Sequence, residues 1–358
     1  MSRTPASPVA RVGARPVVLP RPSRATPAVP RPQPPRPVTR EAAVQRAPSR
    51  RLAPRWRMAD TAFRLTALAF ALSVLAITGT IAVELFVRSA PARRAFGWSF
   101  LWTGVWDPVF SKFGALPFIY GTLATTAIAL AIATPLGLGA AICLAELMPR
   151  RLGDGLTFLL ELLVAVPSVV YGLVGVFVLV PLVRTVGAPI EQLLGGVPLF
   201  AGPVYGIGLL TAGVLLAVMI VPFIIAVGRE VLLAVPQAQR DGALALGATR
   251  WETVRQVVLP YARSGILGAT FLALARALGE TMAVTMVIGN RPDIVASLFA
   301  PAHTMAAVLA NEFAEAASDV HLAALVEIGL VLFGITLAVN GVARLLILGM
   351  RGAERARA

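Results

Sequence analysis

Arg276 and Glu280 stand four residues apart in a run, 264–289, that is otherwise free of charge. In a helix, residues at i and i+4 share a face. A charge at the centre of a bilayer costs about 2.5–3.5 kcal/mol on insertion scales, and such residues face a pathway or a partner. Two roles fit the pair: a self-compensating structural bridge, or part of a route for an ion. The chemistry favours the route. Three more acids interrupt apolar stretches: Glu84 near the end of one, Glu161, and Glu327. Glu161 and Glu327 are candidate partners for Arg276 or for a second chain.

Other chemistries lack their residues. Cys143 is the single cysteine, so no intrachain disulfide forms. Two histidines, His303 and His321, and no Cys/His cluster leave a structural zinc site without ligands. Lys112 is the single lysine and Phe113 follows it, whereas a nucleotide-binding P-loop needs Lys followed by Ser or Thr. No Ser/His, His/Glu or paired-acid arrangement points to catalysis, and no cofactor is expected.

A second chemical feature is the basic stretch 229–263. At its core stand Asp241-Gly242-Ala243, then Gly247, then Val257-Val258-Leu259-Pro260. Residues Ala243, Leu244, Ala245 and Leu246 predict a short helix with an exposed apolar face, which Gly247 can end in a left-handed conformation. Thr249 with Glu252 three residues on reads as a capping box for the next helix. Such a module can enter a groove on a soluble partner. The spacing Asp-Gly-Ala, three residues, Gly, nine residues, Val-Val-Leu-Pro resembles the EAA loop of ABC-importer permeases, with Asp241 in place of Glu and Gly242 in place of Ala.

Three further stretches narrow the resemblance. The run from Arg276-Ala277-Leu278-Gly279-Glu280-Thr281-Met282 through Gly289-Asn290 is similar to the signature of the PstC family, permease subunits of phosphate-specific ABC importers. Val166-Pro167-Ser168-Val169-Val170-Tyr171-Gly172-Leu173 resembles that family's third-span motif, and Asn311-Glu312-Phe313-Ala314-Glu315-Ala316 its last external loop. The likeness covers about residues 60–350. It implies an all-α, six-span type I ABC importer permease, without ATPase chemistry of its own. The implied partners are a PstA-like permease, a PstB-like ATPase dimer and a PstS-like phosphate-binding protein. Arg276, Glu280 and Thr281, with Glu161, are expected on the substrate pathway. Asp241, Gly242, Ala243, Gly247, Ala248, Leu259 and Pro260 are expected in the loop that couples to the ATPase, 240–260. Permeases for sulfate or molybdate would share the coupling loop. A proton-coupled carrier would use the acids and Arg276 as a relay and need no such loop.

The elements that must position these residues follow from the distribution of charge. The chain has 358 residues, 57% hydrophobic and 14% charged, against roughly 25% charged in a soluble domain. Residues 65–83, 113–145, 162–183 and 192–228 contain no charge at all. Runs of about 18 or more apolar residues are membrane-span candidates, and spans must be helical to satisfy their backbone. Six spans are predicted, near 62–87, 118–145, 156–182, 205–227, 264–289 and 322–346, with the link 146–155 making an antiparallel hairpin of the second and third. Pro135, Pro167, Pro181 and Pro222 should kink or break them. Gly137, Gly139 and Ala141 should permit close helix approach, and Trp56, Trp98, Trp102 and Trp106 suit interfacial anchoring.

The net charge of +14 is concentrated in residues 1–57, which hold 13 Arg, 13 Pro and one Glu. That segment reads as a disordered cytoplasmic tail, and no nucleic-acid partner is expected. Placing the N-terminus in the cytoplasm puts 24 Arg and Lys residues inside and six outside, the sense of the positive-inside rule. Both termini, including the tail 351–358, are then cytoplasmic, in a bacterial inner membrane.

Overall fold

The computed structural model describes the backbone of residues 54–355. The N-terminal segment 1–53, expected to be disordered, lies outside the described residues, and the first helix already begins at Pro54. The chain divides into two compact units at Ala67, inside that helix. Of the first unit, only the start of α1 (Pro54–Arg88) is described, and its side chains from residue 60 to 67 are exposed. The second unit, Leu68–Ala358, carries every other element.

That unit is built of helices, and among the described residues the only β pairing is two isolated bridges. After α1 come α2 (Ala90–Phe96), α3 (Leu116–Ile142), α4 (Arg150–Val164), α5 (Ser168–Val174) and α6 (Val180–Leu194). Then follow α7 (Leu209–Leu233), α8 (Gln237–Ala245), α9 (Arg250–Thr253), α10 (Leu259–Leu278), α11 (Met282–Thr285), α12 (Met305–Glu312) and α13 (Asp319–Arg355). Six helical stretches among the described residues are long and apolar enough to cross a membrane: Asp60–Arg88, Leu116–Leu147, Ser168–Leu194, Leu209–Leu233, Arg250–Leu278 and Asp319–Met350.

Two of these differ from the expected spans. The third was expected at 156–182, but the chain breaks at Ala165-Val166-Pro167, and the apolar helix runs on to Leu194. Pro167 disfavours helical geometry in the residue before it, so α4 stands apart as an amphipathic helix that packs mainly against α7. The fifth was expected to continue to 289, but α10 stops at Leu278.

The prolines act differently from one another. Pro135 and Pro222 lie inside continuous helices. Pro181 follows a π-helical turn, Gly175–Leu179, which absorbs the carbonyl its ring displaces.

α7 is the hub. Most of its inward side chains, among them Leu216, Ile220 and Ile224, are buried against α3, α10 and α11. Its broadest contact is with α3. Small residues permit it: a methyl at Gly137 would stand 2.7 Å from Ile224 Cγ2, and one at Gly213 2.5 Å from Ile128 Cγ2. Gly139, in contrast, faces open space. A second apolar cluster joins α2, the segment 97–118, α12 and α13 at one end of the bundle. A third joins the ends of α3 and α7 to Val254, Val258 and Ala262 at the other. α1 leaves its apolar side chains exposed, as a lipid-facing helix does.

Candidate translocation site and coupling loop

Arg276 lies in the last turn of α10. Glu280 does not share its helical face. Gly279 caps the helix, and the chain turns before α11. The Glu280 carboxylate instead accepts the Ala283 N–H at 3.3 Å, one of the orphan donors at the start of the next turn. Gly279 and Thr281 are poor helix formers on either side of Glu280, which favours a break here over helix continuation. Of the two roles that fit the pair, the structural bridge is therefore absent, and the shared helical face expected for the two residues is not formed.

Arg276 is left with Nε buried and without a hydrogen-bond partner. Among the described residues its guanidinium enters no ion pair. Around it stand the Phe223 ring of α7, whose centroid is 6.0 Å away, and Tyr171 of α5, close enough to feel its charge. Tyr171 donates to the Leu163 carbonyl at 2.7 Å and so ties together the two sides of the Pro167 break. Two interrupted helices thus approach Arg276: its own, broken at 279–281, and the α4–α5 pair. Thr281 bridges the first break, its carbonyl accepting from the Thr285 hydroxyl at 2.7 Å and its own hydroxyl donating to the Gly279 carbonyl at 3.3 Å.

The other acids lie elsewhere. Glu161 is exposed on α4 and makes no ion pair among the described residues. Glu84 pairs with Arg88 one turn on. Glu327 is buried on α13 with one oxygen unpartnered, and the charge that acts on it is Arg93 of α2, not Arg276.

The loop between α7 and α10 has the local form its sequence predicts. α8 carries Asp241, Gly242 and Ala243 and ends at Ala245. Gly247 adopts φ +89°, in the left-handed region, and its N–H closes onto the Leu244 carbonyl at 3.0 Å. Ala248 N–H returns to the Ala243 carbonyl at 3.2 Å. Thr249 caps α9: it accepts from Glu252 N–H at 3.3 Å, and the Glu252 carboxylate accepts the Thr249 N–H at 2.8 Å. Leu259 and Pro260 open α10. Leu246 is 92% exposed at the mouth of a groove of about 770 Å³ lined by Gly242, Ala243, Gly247, Ala248, Glu252 and Val257. Leu246 thus presents an apolar side chain on a turn closed by its own hydrogen bonds.

The model of the family described as "binding-protein-dependent transport system inner membrane component" matches residues 133–352. The phosphate transport system permease protein PstC of Mesorhizobium japonicum is 48% identical over 299 residues, 82% of this chain and 91% of that one. PstC of Haemophilus influenzae is 44% identical over 297 residues, 82% and 94% of the two chains. PstC 1 of Mycobacterium tuberculosis is 43% identical over 260 residues, 70% and 77%.

This chain belongs to the PstC permease family.

The PstC-family permease is a multi-pass inner-membrane protein with six candidate spans among its described residues. Both helix breaks and the whole loop 240–260 fall inside the family-matched region, whereas α1 and α2 precede it. At the opposite end of this permease from that loop, the 311–316 stretch has a structural task that residue types alone concealed. Glu312 ends α12, and its Oε2 accepts Trp106 Nε1–H at 2.9 Å and lies 3.1 Å from His321 Nε2 at the start of α13. Phe113 stacks on the His321 ring at 5.2 Å. Trp106, expected at the lipid interface, is thereby drawn into the protein, while Trp98 and Trp102 stay exposed. No signal in the sequence announced the pairing, because Trp106 and Glu312 stand 206 positions apart.

Proposed function

We propose that this permease is the membrane-spanning subunit of an ATP-driven importer of inorganic phosphate and that Arg276 is the cation its substrate meets on the way. The observation that carries the reading is a half-buried guanidinium beside Phe223, its Nε buried and unpartnered, where two helices are interrupted. An oxyanion crossing a low-dielectric region needs a counter-charge, and arginine supplies donors in a planar fork. Interrupted helices turn polar backbone toward a pathway, which is where a membrane tolerates it. Thr281 offers a hydroxyl at the break. Glu280 places a negative charge in the same break and limits affinity so that the anion leaves; throughput needs weak, replaceable contacts. Glu161, exposed on α4, faces a partner subunit in this reading.

The tip at Leu246 and Gly247 docks with a cytoplasmic ATPase, which carries out hydrolysis; this chain contributes motion and half of the path. A PstA-like subunit completes the path, and a PstS-like protein delivers phosphate at the Glu312 end. The names of the relatives support phosphate as cargo. Orientation follows from charge: the tail, the 146–155 link, the coupling loop and the C-terminus are cytoplasmic.

The test is uptake into proteoliposomes holding the complete importer, with phosphate, sulfate and molybdate compared. Phosphate should accumulate on ATP addition, and Arg276→Gln should abolish or greatly reduce it while the subunits still co-purify. Sulfate or molybdate uptake in preference to phosphate would overturn the cargo. Uptake without ATP would overturn the mechanism in favour of a secondary carrier.

A further inference from the structure

The coupling helix α8 buries none of its residues. A push on it therefore reaches the membrane spans by a few routes: the chain itself, its contacts with α9 and the turn Val254–Val258, and one side chain that points the other way. That side chain is Arg240. It stands immediately before Asp241, yet it is only 11% exposed. Its Nη2 donates to Glu146 Oε1 and to the Leu232 carbonyl, each at 2.7 Å. Its Nε lies 3.3 Å from both Glu146 oxygens, and Nη1 donates to the Val235 carbonyl. Leu232 lies in the last turn of α7 and Val235 just beyond it, where backbone carbonyls lack helical partners. Glu146, 12% exposed, lies in the π-helical turn Cys143–Leu147 that closes α3. One guanidinium thus joins three elements.

Arg229 repeats the grip one turn inside α7. It pairs with Asp154 of α4, so the link from α3 to α4 is held at both ends. The five charged or polar side chains Glu146, Asp154, Arg229, Gln237 and Arg240 line one cavity of about 610 Å³. An apolar contact can slide under load; a fork fixed by several directional bonds resists it. Exposed ion pairs contribute little, but a desolvated one binds its elements tightly, because parting it strands a buried charge.

We propose that Arg240 and Glu146 form a latch that makes the coupling helix and the inner ends of α7 and α3 move as one body. The pull of the ATPase on α8 then reaches the paired helices at the core of the bundle, and α7 carries Phe223 beside Arg276. Arg240 acts as a positioning residue: it touches neither substrate nor ATP. The proposal rests on the coupling-loop reading above.

The test uses the complete importer in proteoliposomes and reads three quantities: ATPase retained on the permease, ATP hydrolysed, and phosphate taken up. Glu146→Gln keeps shape and removes the charge; Arg240→Lys keeps charge and loses the fork. In both, the ATPase should stay bound and hydrolyse ATP, while phosphate moved per ATP falls about tenfold, the upper range for residues that carry coupling between sites. Arg240→Ala combined with Glu146→Ala should lose no more than Arg240→Ala alone. Should the arginine variants fail to reach the membrane, Glu146→Gln decides alone. Unchanged uptake per ATP in Glu146→Gln overturns the latch, and so does release of the ATPase, which would make the bridge a mere support for α8. Gly247→Pro separates the two levels. If it uncouples and Glu146→Gln does not, the latch alone fails. If Gly247→Pro also transports normally, the coupling-loop reading fails with it.

Discussion

At the residue scale, the separation of Arg276 from Glu280 changes what a charge swap should do. Were they a bridge, Arg276→Glu with Glu280→Arg would preserve it. Glu280 caps the turn at Ala283 instead, so the swapped protein loses both the cap and the cation of the break. Uptake by the double variant should be no better than that of Arg276→Gln; recovery to wild-type phosphate uptake would restore the bridge. His303 supports a second test. It is buried, with Nδ1 unpartnered, and burial lowers its pKa from 6.5 to about 4. The unfolded chain binds a proton here below about pH 6.5 that the folded chain resists until about pH 4. The stability linked to neutral His303 is therefore complete above that window and lost as pH falls through it. Detergent-solubilised protein should show a lower melting temperature at pH 5 than at pH 7.5, and His303→Gln should flatten that slope. An unaltered slope would mean that other groups cause it.

At the scale of elements, the contact of α3 with α7 sets the core, and it depends on absent side chains. Gly213 faces Ile128 so closely that even a methyl meets it at 2.5 Å. Overpacking of this kind costs about 1–3 kcal/mol. Gly213→Val should lower thermal stability and membrane yield, whereas Gly139→Val, at a site facing open space, should leave both near wild type. Equal behaviour of the two would contradict the close packing. The sequence run containing Gly137, Gly139 and Ala141 announced a close approach but not its direction. Gly137 and Ala141 face α7 and Gly139 does not, because a helix turns 100° per residue and only one stripe meets a neighbour.

At the scale of the whole molecule, the charge asymmetry and the arrangement of ends make topology the informative measurement. The loop 240–260 enters one apolar cluster through Val254 and Val258, while Trp106, bonded to Glu312, packs against another at the opposite end of α3. Reporters fused after Arg150 or Arg255 should read as cytoplasmic, and one fused near Ala302 as external. Inverted activities would turn the proposed import path around and detach the coupling loop from any cytoplasmic ATPase.

The sequence by itself determined what depends on neighbours in the chain. Long charge-free runs marked most of the apolar helices, because a bilayer penalises charge near the centre of a span. The Gly247 turn and the Thr249–Glu252 box were legible because their bonds close over three or four residues. The helix break after Leu278 is also local, but the apolar run around it masked the turn chemistry of Gly279-Glu280-Thr281. Only the tertiary structure decided which charges meet. Arg240 finds Glu146 across 94 positions, Arg229 finds Asp154 across 75, and Trp106 finds Glu312 across 206. No periodicity encodes such pairings. They are fixed by which helix faces pack, and that is settled by small residues and breaks spread over the whole bundle. The same packing left Arg276 without the acids that stood ready to pair with it.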